Sequence, residues 1–549
     1  MSRIRRHIRF CGFNGSLPPV GASAKTEEMR ILSFCLLCLL SALTSEAGDW
    51  SQATGPNFDF SSLEAAPVET FSASLDQNVA WRTTLPETGQ STPVVSGGRV
   101  FLTTMKPVET DSEIGSDIVA YCLAADTGEI LWKKDILGGY ATKLSAPFSD
   151  ASAPPAMSDG KNVWFLNPTG RLVCFDFDGN EVWSKEVRSV SRCQPILFEG
   201  KIIVHRQVYL PDEEGHFDHS HVDAPNEEWT QLQAIDSATG EQIWVSECGV
   251  NMGCAPLLQH LNDGSPVIVV GRGGGHSPPE KPEGVSMISA ETGETLWTLA
   301  LPGYMSTQTF PIVDDMALIF NGNEHLWVNA TDGTILKAVN LVEEVPVCRW
   351  KNGKRVIQTE NLPDNKPRAI TQGSNLCVGN YHFFRAYTKN YLGRIDLNSG
   401  KVEYLELPLQ VLREPGKEEQ TLWNADQRPE DLAPLENKKL KNNISYVSLR
   451  LNSMRNSRGF KVSGDGRDIG NGWGHTASPY ATAIGNRLFV PILSGMVFVV
   501  DTEAEKWDES AVVSVSDLGD LGDAYTRASI STDGTRLYGR TIREVLAFE

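Results

Sequence analysis

The feature that most constrains this chain is a turn that keeps returning. An apolar strand ends in Asp or Glu, a Thr-Gly or Asp-Gly turn follows, and the next strand carries a Trp. Full copies are Asp126-Thr127-Gly128-Glu129-Ile130-Leu131-Trp132, Asp178-Gly179-Asn180-Glu181-Val182-Trp183, Ala238-Thr239-Gly240-Glu241-Gln242-Ile243-Trp244 and Glu291-Thr292-Gly293-Glu294-Thr295-Leu296-Trp297. Degenerate copies continue at Thr331 to Leu336, at Asn398 to Val402 and at Asp501 to Trp507. Ahead of each lies a second pattern: a small residue or Pro, an apolar strand, a Gly or Asp turn, and another apolar strand. Ser91-Thr92-Pro93-Val94-Val95-Ser96-Gly97-Gly98-Arg99-Val100-Phe101-Leu102 is the clearest. Short alternating strands joined by such turns are antiparallel hairpins. Four strands per period of about fifty residues make a propeller blade.

Starts at Ser91, Ala153, Cys193, Cys254, Thr309, Asn375, Ala477 and Ala528 predict an all-β, eight-bladed β-propeller with four-stranded antiparallel blades. The last start is followed by three strands only. Asn78-Val79-Ala80-Trp81-Arg82 is expected to supply the fourth, so that an N-terminal strand closes the ring and removes its open edge. The repeated Trp is expected to pack between neighbouring blades.

The repeated Asp-x-x-Thr-Gly-x-x-x-Trp signature resembles the pyrroloquinoline-quinone-like repeat propellers. The start Asp49-Trp50-Ser51-Gln52 with Gly55-Pro56-Asn57 is similar to that of exported bacterial members. The resemblance implies the propeller fold. It also implies a choice of functions, because the superfamily holds quinone-dependent alcohol dehydrogenases and an outer-membrane-assembly scaffold. The enzymes place an adjacent Cys-Cys disulfide over the cofactor, and this chain has no adjacent cysteines. No residue here is assigned to their calcium-binding Glu and Asn or to their catalytic Asp.

Residues 29–47 combine Arg30, an apolar run from Ile31 to Leu43, and Ser45-Glu46-Ala47 before Gly48. This is the pattern of a secretory signal peptide, with an apolar run too short to span a bilayer. Residues 1–28 form an N-terminal extension ahead of it, and Met29 is an alternative start. A single propeller domain is expected over 48–549, in the periplasm or outside the cell, as a monomer with no transmembrane segment. The whole sequence carries a net charge of −20, and residues 1–47 hold six basic and three acidic groups, which leaves −23 for the remainder. Such a balance excludes a nucleic-acid partner, which needs clustered Lys and Arg. Seven of the ten cysteines lie beyond residue 47. Cys248 and Cys254 are close enough in sequence to pair, although small buried strand residues are the commoner role.

In a four-stranded blade, the second-to-third-strand loop and the blade-to-blade connection open on one face. The long segments 105–117, 207–229, 272–284, 343–372 and 408–475 all fall in that class, whereas the opposite turns are short. Long connections in a compact fold are usually functional or disordered. Three stretches there hold candidate ligands. His205-Arg206 with His216, His219 and His221 could hold zinc, copper or nickel. Arg272, in Gly271-Arg272-Gly273-Gly274-Gly275-His276, could clamp a carboxylate or phosphate of a cofactor in a forked geometry. Trp473 and His475, closing the longest insertion, could stack on and bond a planar ligand or sugar. The leading expectation is a noncatalytic exported scaffold that binds a protein, peptide or glycan through the loop-rich face. The alternatives are a quinoprotein-type oxidoreductase using PQQ with calcium, and a transition-metal enzyme or metal binder.

Overall fold

The computed structural model describes residues 48–106, 114–140, 142–143, 151–189, 191, 193–210, 225–273, 283–303, 308–362, 371–386, 390–423, 454–455, 461–462, 479–520 and 524–549. They form eight blades of four antiparallel strands, which in blades 1 to 7 follow chain order from the innermost strand outward. Blade 1 comprises Val94–Ser96, Arg99–Met105, Ile118–Ala124 and Ile130–Ile136. Blades 2 to 7 span 157–186, 196–245, 257–300, 312–340, 371–406 and 482–517. Blade 8 takes its three inner strands from 531–548, and its outermost strand is Val79–Thr84, paired antiparallel with Glu544–Phe548. The ring is therefore closed by the N-terminal strand, as the sequence predicts.

The recurrent turn has a physical basis that repeats from blade to blade. In blade 3 the Asp236 Oδ1 accepts the backbone N–H groups of Ala238 and Thr239 at 3.0 and 2.8 Å. The Gly240 N–H returns to the Asp236 carbonyl at 2.8 Å. The carboxylate thus nucleates the turn that the glycine, at positive φ, completes. The Trp of one blade then packs on the turn glycine of the next. The Trp297 indole lies under Gly333, where a Cβ would meet its ring at 2.8 Å, and Trp297 Nε1 donates to the Ala330 carbonyl at 2.7 Å. Trp81, Trp132 and Trp183 make the same bond to the Ala125, Phe177 and Ser237 carbonyls.

The core lies between the blades, where apolar residues from the two middle strands of each sheet interdigitate with those of its neighbours. All seven described cysteines are free thiols, Cys248 and Cys254 included. Cys254 Sγ instead accepts the Gly271 N–H at 3.4 Å. Among the described residues, no helix is long and apolar enough to cross a membrane.

The described part of segment 343–372 is largely sheet and not a free connection on the loop-bearing face. Val345–Lys351 and Lys354–Glu360 form a hairpin whose first strand runs parallel to the outer strand of blade 6, widening that sheet to six strands. Val345, Val347 and Cys348 are buried in this strand, whereas Trp350 and Lys351 at its end are exposed.

Candidate functional site

The two faces of the ring differ first in what covers them. Residues 49–62 cross the central channel on the side of the short turns. Asp49 Oδ2 accepts the Gly97 N–H in the first turn of blade 1 at 2.9 Å. The inner-strand N–H groups of Val95, Ser158 and Ala483 donate to the carbonyls of Trp50, Ser51 and Phe60, at 3.0, 2.8 and 2.9 Å. The Leu197 N–H donates to Gln52 Oε1 at 3.0 Å. Blades 1, 2, 3 and 7 are tied together by one strap. Trp50 is fully buried in it, and Gly55 lies against the indole so closely that a Cβ would sit 3.0 Å from the ring.

The opposite face carries the long connections, and two of these pair with one another. Ile114–Gly115, from the second-to-third-strand loop of blade 1, pairs with Thr142–Lys143 of the connection to blade 2. The insertion after blade 6 begins as a hairpin, Gln410–Leu412 with Gln420–Leu422. Arg413 anchors it by donating to Asp517 Oδ2 at 2.9 Å, where both side chains are largely buried. Gln410 Oε1 accepts the Ser494 hydroxyl at 2.5 Å. Beyond the hairpin, Trp423 stacks on the half-exposed Trp350 at 4.9 Å, and the Arg355 guanidinium sits 4.5 Å over Trp423. The first part of this insertion is therefore built into the propeller.

Two blade interfaces bury polar side chains, with opposite outcomes. Between blades 5 and 6, Trp327 Nε1 donates to His325 Nδ1 at 2.8 Å. That bond leaves the proton of His325 on Nε2, 2.9 Å from His382 Nδ1, and the His382 Nε2–H reaches Asn375 Oδ1 at 2.9 Å. Every ring nitrogen has a partner. Burial pushes His382 down to about 3 and His325 well below the usual imidazole range, so both rings are neutral.

The interface between blades 3 and 4 is the contrast. Arg272, at the end of the strand Pro266–Arg272, is 2% exposed, and its Nε and Nη2 have no hydrogen-bond partner. His205, 3% exposed, has no partner at Nε2, and neither amide atom of the buried Gln207 has one. The Trp244 indole N–H, alone among the repeat tryptophans described above, also lacks its carbonyl. Other buried arginines are more fully engaged, although Arg540 Nη2 and Arg385 Nε also lack a hydrogen-bond partner. Arg394 binds Glu403 and the Ala504 and Glu505 carbonyls between the rings of Tyr381 and Trp507. Arg540 binds the Ser91 hydroxyl and the carbonyls of Thr103 and Thr541.

Of the predicted ligands, Arg272 thus lies at the same buried blade interface as His205, and both keep unpartnered nitrogens there. His216, His219, His221, Trp473 and His475 lie outside the described residues. Gln207 and the His325–His382 pair carry no sequence signal, because isolated polar residues on strands acquire partners only through the packing of blades. Among the described residues no group of three His, Cys, Asp or Glu is placed to hold a metal ion.

A family model described as outer membrane protein assembly factor BamB matches residues 73–135 and 115–403. No curated protein matches the sequence. Among solved structures, a europium-containing methanol dehydrogenase is similar with a TM-score of 0.50 at 13% identity, covering 93% of this chain and 91% of that one. A quinohemoprotein alcohol dehydrogenase from Pseudomonas putida HK5 gives 0.48 at 14% identity, covering 92% and 80%. BamB from Moraxella catarrhalis gives 0.35 at 12%, covering 72% and 94%. At these identities the likeness reports the fold alone.

Proposed function

The chain belongs to the PQQ-like repeat family described by the BamB assembly factor, and from that premise we propose that it is an exported scaffold that holds a protein partner on its loop-bearing face. The observation that carries this reading is the asymmetry of the two faces. The strap 49–62 crosses the channel on the short-turn side through bonds to four blades. The long connections gather on the other side, where hairpin 410–422 gives one of them a fixed root through Arg413 and Asp517. A ring with long connections on one face is a common way for a scaffold to present a binding surface. The chain has no adjacent cysteines, so the disulfide that the resembling enzymes place over their cofactor has no counterpart here.

The test replaces residues 424–475 by a short Gly-Ser linker and leaves hairpin 410–422 in place. The intact chain should capture a protein from an envelope extract by crosslinking, and the shortened chain should lose that capture while its melting temperature stays within a few degrees. Undiminished capture by the shortened chain, or dye reduction by the intact chain that depends on added quinone and calcium, would displace the scaffold reading.

A further inference from the structure

We propose that the gap between blades 3 and 4 is a binding site for a small hydroxy-carboxylate, with Arg272 clamping the carboxylate and His205 accepting the hydroxyl. The two side chains face each other across the interface. Trp297 packs on blade 5, and Met287 and Val269 are its cross-strand partners, so that side of blade 4 looks at blade 5. Successive strand residues point to opposite sides. Val270, Arg272, Ser286 and Thr298 therefore look at blade 3, and the Ser286 and Thr298 hydroxyls meet on that side at 2.9 Å. In blade 3, Trp244 packs on Gly293 of blade 4, and its row continues through Ala234 and Ile203 to Leu232 and His205. One residue bridges the two. The Asn251 N–H and side-chain amide donate to the carbonyls of Gly271 and Gly273, on either side of Arg272, and its own backbone hydrogen-bonds His205.

The chemistry of the ligand follows from what the gap lacks. A buried guanidinium with no anion beside it among the described residues is a costly arrangement, since desolvation of a charge is offset only by a counter-charge with good hydrogen bonds. The titratable group beside Arg272 is the Cys248 thiol, which burial keeps protonated. His205 is held neutral by the same burial, with its titration pushed down to about 4. The site therefore offers one positive charge, which matches one carboxylate and leaves a doubly charged phosphate uncompensated. The planar fork of Arg suits a carboxylate in particular. Because Nε2 of His205 is the unpartnered nitrogen, the bond to Asn251 uses Nδ1–H, and Nε2 presents a lone pair. A lone pair calls for a donor on the ligand, and a carboxylate by itself has none. A hydroxyl adjacent to the carboxylate supplies it, and the Gln207 amide offers both a donor and an acceptor at the end of the same strand.

The experiment is a calorimetric titration of the purified protein, after exhaustive dialysis, with L-lactate, D-glycerate, propionate and 1,2-propanediol. Acid-denatured protein is analysed in parallel by mass spectrometry for released hydroxy acids. We expect saturable binding of lactate or glycerate, or a stoichiometric hydroxy acid in the extract. Propionate should bind at least tenfold more weakly and propanediol not at all. Arg272→Gln should abolish binding, and His205→Phe should reduce the preference for lactate over propionate to less than threefold; the ligand series on the unmodified protein stands even if either variant fails to fold. No saturable binding together with an extract free of hydroxy acids overturns the proposal. So does equal affinity for lactate and propionate, or unchanged affinity in folded Arg272→Gln.

Discussion

At the scale of single residues, the buried imidazoles have the plainest consequence. His382 is fully buried and neutral, its titration pushed down to about 3, whereas an unfolded histidine takes up a proton near pH 6.5. Unfolding therefore binds a proton over the whole window between those values, and acid favours the unfolded chain. The stability contributed by the neutral ring is present above pH 6.5 and is lost as the pH falls toward 3. For this one imidazole the loss between pH 7 and pH 5 is about 2 kcal/mol. His325 and His205 act in the same direction. Thermal melts from pH 8 to pH 4.5 should show a steep decline below 6.5, and His382→Gln should flatten it by about one proton's worth of slope. An identical slope in that variant would show that other groups govern the acid limb.

Elements meet through the turn-and-Trp contact, and it sets how blades adhere. Gly333 has φ of +76° and lies against the Trp297 ring of the preceding blade. Gly333→Ala meets two penalties, a backbone conformation unfavourable to L side chains and an overlap with the indole. Together these should cost about 2–4 kcal/mol. Urea denaturation would read this as a lower midpoint with an unchanged slope. The same change at Gly353, where no atom lies near an added Cβ, should cost only the backbone share, although φ there is +77°. The difference between the two variants isolates the blade-to-blade contact from the conformational term. The hairpin 345–360 adds a different lesson, since its pairing with the outer strand of blade 6 converts an insertion into sheet.

The whole molecule is a ring held at two non-local places, by strand Val79–Thr84 in blade 8 and by the strap 49–62 over the channel. The strap depends on Trp50, which has no exposed surface and whose indole N–H reaches the Ala53 carbonyl at 3.2 Å. Trp50→Ala removes a large buried side chain that the surrounding blades cannot collapse upon, and should cost about 3–5 kcal/mol. Because the strap joins blades far apart in the chain, the loss belongs to the ring as a unit. Scanning calorimetry should show one transition moved to lower temperature. A second, separate low-temperature transition would mean that the strap is a local appendage.

The sequence by itself determined the blade count, the order of strands and the closure by residues 79–84, because each depends on a local pattern repeated along the chain. Asp236 with Gly240, or Glu291 with Gly293 and Trp297, announces a turn and a strand wherever it occurs. Most of the candidate site was not legible in this way. Arg272 stood out by its glycines, but nothing in its neighbourhood along the chain says that it faces His205, 67 positions earlier, or that each keeps an unpartnered nitrogen. The motif at Asp49 to Asn57 was legible as a resemblance, while its role as a strap appeared only once four blades were seen to donate to it. Local patterns fix elements because turn and strand energetics act over a few residues. Which polar groups are left to confront one another is decided by the packing of one sheet on the next, and only the tertiary structure carries that information.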